Sequence, residues 1–405
     1  MKGIHSLIMA RCSLDKLFWL CILNFCTQIM QCAFLCSSNS SNNQSCKRSE
    51  IISLPGHWPA NYCVITNIKF QVSNKTITIN KESMKDLDKC FKIQDIWSFQ
   101  PKQIDSDNLI CDQVFPRGHF FTVYYYHGSN YFHLHYDTLI PLYSALYYQQ
   151  TSLPKETVLL PAVEIKRGEG VDWNTDAFMK SEMYWLDMLM TIAGSHRLLP
   201  LDKRLAAINK TMCFERAYFG TPRVKYSDPS LIKAFINFVK KTLQIEKIKI
   251  DAHKPKVALI HREGRRKILN EDELSKSIES FAVVEIIDFS ELSFKQQVQK
   301  VQEYSVLVGI NGAGLTNALY LPESSVAVQL VPYKAQLNVD EFATLLKARG
   351  PYLQWDNTHS ELNSPTKSDP FNNGSDTIVH KQEFIKIIKK ALELQRNFLN
   401  QKFIE

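Results

Sequence analysis

Short apolar runs alternate with amphipathic stretches over the second half of the chain, and that alternation predicts a parallel sheet with helices between its strands. Val257 to Ile260, Val283 to Ile287, Val306 to Ile310 and Val326 to Val331 have the length and apolar character of buried strands. Between them the pattern predicts a helix capped by Asn270 with Glu273 three residues on, and a helix starting at Ser293 with Gln296 in the same reciprocal position. A short helical run, Leu315 to Leu321, follows the turn Asn311-Gly312-Ala313-Gly314 and is stopped by Pro322. This alternation describes a doubly wound α/β sheet, whose ligands bind beyond the carboxyl ends of its strands. Arg262 and Gly312 both fall at such ends.

The first half is less regular. Alternating apolar residues in ITNIKFQV and KTITI predict paired strands, and further strands are expected at Phe120 to Tyr125, Thr157 to Leu160 and Cys213 to Phe219. Asn130 is placed to cap a helix carrying His133, Asp137 and Leu139, which Pro141 should end or kink. Helices are also expected at Asp176 to Ile192 and after Pro229, where Leu231, Phe235, Val239 and Leu243 recur at four-residue spacing. The charged stretch EKIKIDAHKPK puts a domain boundary near residue 250, dividing the body into 51–250 and 251–405. A last amphipathic helix, with Phe384, Ile388, Leu392 and Phe398 or Leu399 on one face, should pack back on the body.

Composition refines this. The 405 residues carry 48 basic and 41 acidic side chains, a formal net charge of +7, but no basic stripe interleaved with aromatics, which argues against nucleic-acid binding. Lys2, Arg11 and Lys16 precede an apolar stretch from Leu17 to Leu35, so 1–36 reads as a signal peptide or type II signal-anchor that would tie the chain to a membrane if uncleaved. Residues 37–50 are a polar stem. Sequons at Asn39 and Asn43 and, in the body, at Asn74, Asn209 and Asn373 agree with residence in the lumen of the endoplasmic reticulum or Golgi. Cys46, Cys63, Cys90, Cys111 and Cys213 would then be luminal, with no C-x-x-C spacing to suggest zinc.

Three stretches carry chemistry. The glycine turn at 311–314 would let backbone N–H groups approach a phosphate at a helix N-terminus. Arg262 and Arg266, after the strand VALIH, can bind diphosphate oxygens with planar guanidinium forks. His133 and Asp137, four residues apart, share a helix face, so the carboxylate can orient the imidazole or either group can act as a base. No metal site is expected: His133, His135 and Asp137 cannot converge from one helix, and the D-x-D triplets at Asp86 to Asp88 and Asp105 to Asp107 follow no buried strand.

The stretch GINGAGLTNALYLPESSVAVQLVPY resembles the G-x-H-G-A-G-L-T-N, L-P, E-x-x-P signature of the family-61 glycosyltransferases, with Asn311 standing where the family has His. LIHREGRRKILNEDEL resembles the family's R-x-x-x-R-x-I-x-N-E-x-E-L, NYFHLHYDTLIPLY its N-x-x-H-x-x-x-D-x-L-x-P-L, and Cys213 to Gly220 its C-F-x-x-A-x-x-G. The resemblance implies a GT-B-like α/β architecture of two facing Rossmann-like domains, acceptor side first and nucleotide-sugar side second. It implies an inverting transferase that moves a sugar, N-acetylglucosamine from its UDP donor above all, to an O-mannose glycan or protein acceptor. Transfer to EGF-like domains and xylosyl transfer are the alternatives within the family. Carried over by position, His133 and Asp137 are catalytic; Arg262, Arg266, Asn311, Gly312, Ala313, Gly314, Thr316 and Asn317 bind the donor; and Asn130, Asn270 and Glu271 serve the acceptor or the structure. No cofactor is implied beyond the donor substrate. Asn311 also raises a non-catalytic binding homologue, because an amide cannot carry an imidazolium charge or shuttle a proton.

Overall fold

The structure is a computed structural model that describes residues 51–54, 62–71, 73, 76–78, 100–102, 111–124, 130–148, 153–154, 156–164, 176–199, 210–251, 253–364 and 374–401. The targeting segment, the stem, both D-x-D triplets and the sequons at Asn74, Asn209 and Asn373 lie outside the described residues. Among the described residues, no helix is long and apolar enough to cross a membrane.

The first half builds a mixed sheet. Its strands are β1 (Ile51–Leu54), β2 (Tyr62–Gln71), β3 (Thr76–Thr78), β4 (Gln100–Lys102), β5 (Gln113–Tyr124), β6 (Thr157–Glu164) and β7 (Thr211–Phe219), in the order β4-β3-β2-β7-β5-β6 with β1 beside β2. The predicted pairing of ITNIKFQV with KTITI is present, Phe70 facing Ile77. β5 runs parallel to both β6 and β7, but β2 is antiparallel to β1, β3 and β7, so this sheet is mixed and departs from the parallel sheet of the Rossmann-like first domain that the resemblance implies. The hairpin-length link between β2 and β3 is the reason, since only antiparallel strands can be joined so tightly. A disulfide from Cys111 to Cys213 joins the entry of β5 to β7, and Cys63 is disulfide-bonded as well.

Among the described residues, three helices belong to this half. α1 follows Asn130 in four pieces, Tyr131–His133, Leu134–Leu139, Ile140–Tyr143 and Ser144–Tyr148, the second and fourth wound as π-helix. Pro141 therefore neither ends the helix nor stands alone as a kink. The wider turn ahead of it moves carbonyls away from its ring, which is how a proline is tolerated inside a helix. α2 is Asp176–Ala193, and α3 is Pro229–Thr242, capped by Asp228 and buried along Leu231, Phe235 and Val239.

The second half is the parallel sheet the pattern predicts. β8 (Lys256–Ile260), β9 (Val283–Ile287), β10 (Val306–Ile310), β11 (Val326–Val331) and β12 (Tyr352–Asp356) lie in the order β12-β11-β10-β8-β9, all parallel. Numbered within this half, that order is 5-4-3-1-2, a doubly wound sheet whose direction of winding reverses between β8 and β10. The intervening helices are α4 (Glu271–Ile278), α5 (Phe294–Lys300), a 3-10 helix at Ala313–Tyr320, α6 (Val339–Arg349) and, at the end, α7 (Lys381–Gln401). α6 and β12 extend the alternation beyond the pattern's prediction. The capping box at Ser293 and Gln296 is formed, whereas Asn270 makes no capping bond and uses its side chain elsewhere.

The period-2 pattern of these strands sorts the core. Val257, Leu259, Val308 and Val328 face α4 and α7, where Phe384, Ile388 and Leu392 are buried as expected. Ala258, Ile260, Leu307 and Ala327 face the other way, into a cluster that also holds Phe121, Val123 and Leu159 of the first sheet. α1, α2, α3, α5 and α6 contribute to this same cluster, so both sheets share one apolar layer of helices.

Candidate active site

The switch point between β8 and β10 brings two loops together. After β8 the chain passes through Gly264 and Arg266, both in the left-handed region, at φ 79° and 61°. That reversal lays Arg262 and Arg266 against Gly312, at the end of β10. A Cβ added to Gly312 would collide with the Arg262 guanidinium, whose Cζ is 3.0 Å from that point, and would lie 3.3 Å from Cζ of Arg266. A side chain at 312 would therefore displace the two arginine heads, which occupy its side-chain space.

Arg266 Nη1 donates to the Asn311 carbonyl at 2.8 Å. Arg262 is different: its Nη1 is buried and has no hydrogen-bond partner, and it forms no ion pair among the described residues. Burial pulls its pKa down, with Arg265 adding to the effect and Asp288 opposing it. A buried guanidinium N–H without an acceptor costs free energy, so a site that keeps one is suited to an anion that supplies the acceptor. Ala313 and Gly314, half-buried, open the 3-10 helix beside it, and the first N–H groups of such a helix lack intrahelical partners. Thr316 Oγ1 and Asn317 Oδ1, in the same helix, are also buried without partners, while Asn317 Nδ2 donates to the Gly314 carbonyl.

Asn311 is turned inward. Its side chain is 2% exposed, donates from Nδ2 to the Leu337 carbonyl at 2.8 Å and accepts from Gln329 Nε2 at 3.2 Å. Its amide therefore ties β11 and the loop after it to the glycine turn, and its contribution to the cradle is its backbone carbonyl, held by Arg266.

The other predicted pair sits on α1. Asn130 Oδ1 accepts from the backbone N–H groups of Phe132 and His133, the cap expected of it. His133 Nδ1 is 2.7 Å from Asp137 Oδ2, with the ring 25% and the carboxylate side chain 9% exposed. A carboxylate accepts only, so Nδ1 carries the proton, and Nε2 is the basic nitrogen of the neutral ring. His135 points into the core, between the Tyr131 carbonyl and the Tyr320 hydroxyl, and desolvation there lowers its pKa to about 4. Tyr136 stacks on Tyr226, whose hydroxyl donates to the Tyr136 carbonyl. Burial, and then the Asp137 charge, push the Tyr226 hydroxyl well above the usual phenol range.

The two predicted groups meet through Asn338, which pattern reading does not single out. Asn338 Nδ2 lies 3.4 Å from His133 Nε2, and the neighbouring Leu337 carbonyl is the one held by Asn311. A line of bonds thus runs from Arg266 through Asn311 and residues 337–338 to His133 and Asp137. Asn270 and Glu271 stand apart from it. Asn270 pairs its amide with both backbone groups of Val379, and Glu271 Oε2 is 2.7 Å from His261 Nδ1. Their mutual bond raises the His261 pKa, while burial raises that of Glu271.

The second half is thus a doubly wound sheet with a cationic glycine turn at its switch point, linked through Asn338 to the His133–Asp137 pair on α1. Residues 131–328 match the sequence model of the family Glycosyltransferase 61. It is 26% identical over 284 residues to protein O-linked-mannose beta-1,4-N-acetylglucosaminyltransferase 2 of Xenopus tropicalis, covering 67% of this chain and 48% of that protein. The same enzyme of Tetraodon nigroviridis is 27% identical over 213 residues, 46% of this chain and 36% of the relative. The EGF domain-specific O-linked N-acetylglucosamine transferase of Xenopus laevis is 29% identical over 167 residues, 36% and 31% of the two chains. The matches thus span between about a third and a half of these relatives' own length.

Proposed function

We propose that the chain is an inverting glycosyltransferase that takes a UDP-sugar, UDP-N-acetylglucosamine above all, and transfers the sugar to an O-mannose glycan or a protein hydroxyl. The observation that carries this reading is the half-buried Arg262 guanidinium at the switch point, with a buried, unpartnered N–H against Gly312, on a chain whose residues 131–328 match the family Glycosyltransferase 61. In this reading the second half, 251–405, holds the donor and the first, 51–250, presents the acceptor, in a GT-B-like arrangement. The donor diphosphate lies on Arg262, Arg266 and the turn 312–314. Nε2 of His133 removes the proton from the acceptor hydroxyl as its oxygen forms the new bond to the sugar C1, while Asp137 stabilises the resulting imidazolium. The bond from C1 to the diphosphate breaks, and the negative charge on the departing UDP is met by Arg262. The arginines supply the positive charge a divalent metal would otherwise provide, so no metal is required.

The buried amide of Asn311 favours turnover over the non-catalytic reading. It holds Leu337 and Gln329 with one donor and one acceptor, which is what a neutral imidazole offers at the same place. The substitution therefore exchanges one positioning group for another. The disulfides at Cys63, Cys111 and Cys213 fit a luminal chain, in the endoplasmic reticulum or Golgi.

The test is UDP release from UDP-N-acetylglucosamine in the presence of O-mannosyl peptides and folded EGF-like domains, together with calorimetry of UDP binding in excess chelator. Acceptor-dependent release and metal-independent binding are expected. Absence of UDP binding unless Mn²⁺ is restored would remove the donor-site assignment, and UDP binding without release on any acceptor would leave only the binding homologue.

A further inference from the structure

Asn338 breaks two local rules at once. It precedes α6 at the N-cap position, where an asparagine ordinarily accepts a bond from the first turn, yet its side chain makes no capping bond. Its backbone lies in the left-handed region, at φ 57°. Asparagine tolerates that region better than most residues, but the combination gives up a stabilising cap. What the side chain has instead is Nε2 of His133, at 3.4 Å, on a helix 205 positions away in the chain.

We propose that Asn338 is a positioning residue for His133: its side-chain amide donates to Nε2 while Asp137 accepts from Nδ1, so that the ring is held at both nitrogens in the tautomer a base requires. The proposal rests on the reading of His133 as the base. The bond at Nε2 is long, so an acceptor hydroxyl can take its place, and the amide then stays beside the ring. Once Nε2 has received the proton, rotation of the amide presents Oδ1 as an acceptor, so the same side chain serves both protonation states. Asp137 on α1 and Glu341 in the first turn of α6 are the carboxylates around this group, with the Tyr136 and Tyr226 phenols beside them. Asn311 is part of the device, because its bond to the Leu337 carbonyl fixes the backbone from which Asn338 reaches. Donor binding at the glycine turn and orientation of the base are thereby joined through two adjacent residues.

The test uses the full luminal chain with ¹⁵N-labelled histidine, the His133 signals being assigned by their loss in His133→Gln. In the wild type at pH 8, Nδ1 should give a protonated-type and Nε2 an unprotonated-type shift. Asn338→Asp replaces the donor with an acceptor and should convert Nε2 to the protonated type at the same pH. Asn338→Gly keeps the left-handed backbone without strain, so it should fold, bind UDP with a dissociation constant within twofold of wild type, and lower kcat about tenfold with the donor KM unchanged. An unchanged ¹⁵N signature in folded Asn338→Asp overturns the proposal, as does wild-type kcat in Asn338→Gly. If no acceptor supports turnover but the signature still moves, the proposed transfer reaction fails while the pairing of Asn338 with His133 stands.

Discussion

The two ends of the 3-10 helix at Ala313–Tyr320 present the same chemical group in opposite circumstances. At its far end, Arg349 is wholly buried and gives Nη1 to the Ser325 carbonyl at 2.6 Å and Nη2 to the Pro322 carbonyl. Lys240 and Gln302 join it there, donating to the carbonyls of Leu321 and Tyr320. At the near end, Arg262 has a buried Nη1 with no acceptor. Burial lowers the pKa of both arginines, that of Arg349 to about 10. The difference is that both Arg349 donors already meet carbonyls, whereas Arg262 keeps a buried N–H for which an anion could supply the acceptor.

Breaking the far end should cost the most. Arg349→Met removes two bonds from a charged donor, at roughly 1.5–3 kcal/mol each, and leaves the Ser325 carbonyl without that donor while the Pro322 carbonyl keeps the Ser325 N–H, so about 3 kcal/mol of unfolding free energy should be lost in a urea titration. UDP affinity of the folded fraction should stay the same. A variant that instead lost UDP binding at unchanged stability would reverse the roles of the two arginines.

The near end should respond in affinity. Arg262→Lys keeps the charge and loses the planar fork; at about 1.5 to 3 kcal/mol for one bond to a charged group, the UDP dissociation constant should rise roughly tenfold to a hundredfold. Gly312→Ala should do the same by displacing the guanidinium, without touching either arginine. Calorimetry at one ionic strength decides, with Arg265→Lys as the exposed control whose affinity should match wild type. Equal affinity in all four proteins would mean that the diphosphate lies elsewhere.

The last effect is one of pH and is read as a slope. Desolvation, with help from Arg349 and Lys247, lowers the Lys240 pKa to about 7 from its usual 10.5. Between those values the unfolded chain holds the proton and the folded chain has released it, so stability rises with pH over this window and is lost as pH falls through 7. The slope from this one group is at most about 1.4 kcal/mol per pH unit. Lys240→Met should flatten the rise; an unaltered pH profile would show that Lys240 stays charged against its carbonyl.

The near end was the more readable of the two. Arg262, Arg266 and Gly312 come together as expected because strand ends in a wound sheet are predictable from apolar period, while their reading as a donor site comes from the family resemblance. Asn311 was placed correctly by pattern but not oriented, since which way an amide turns depends on Leu337 and Gln329, partners supplied by tertiary contact. Asn270 shows the same limit: next to Glu271 and three before Glu273 it has the spacing of a cap, yet the backbone of Val379 competes successfully for its amide. α6 and β12 escaped because their burial is irregular, with Arg349 inside and the Gln354 and Asp356 side chains outside. The mixed first sheet was legible only as strands, because direction is set by pairings that no local period encodes.

The apolar layer shared by the two sheets limits how the molecule can admit its substrates. Phe132 of α1 stacks on Phe342 of α6 with ring centroids 4.0 Å apart, and Tyr131 and His135 meet Phe294 and Tyr320. Swinging the halves apart would wet these rings at roughly 4 to 6 kcal/mol each, taking about 150–250 Å² per aromatic at about 25 cal/mol per Å². Hinge opening on the scale of a whole domain is thus costly. In the proposed transfer reaction, entry and exit would fall instead to the rim beside the short loop from Pro332 to Asn338, whose far end touches His133.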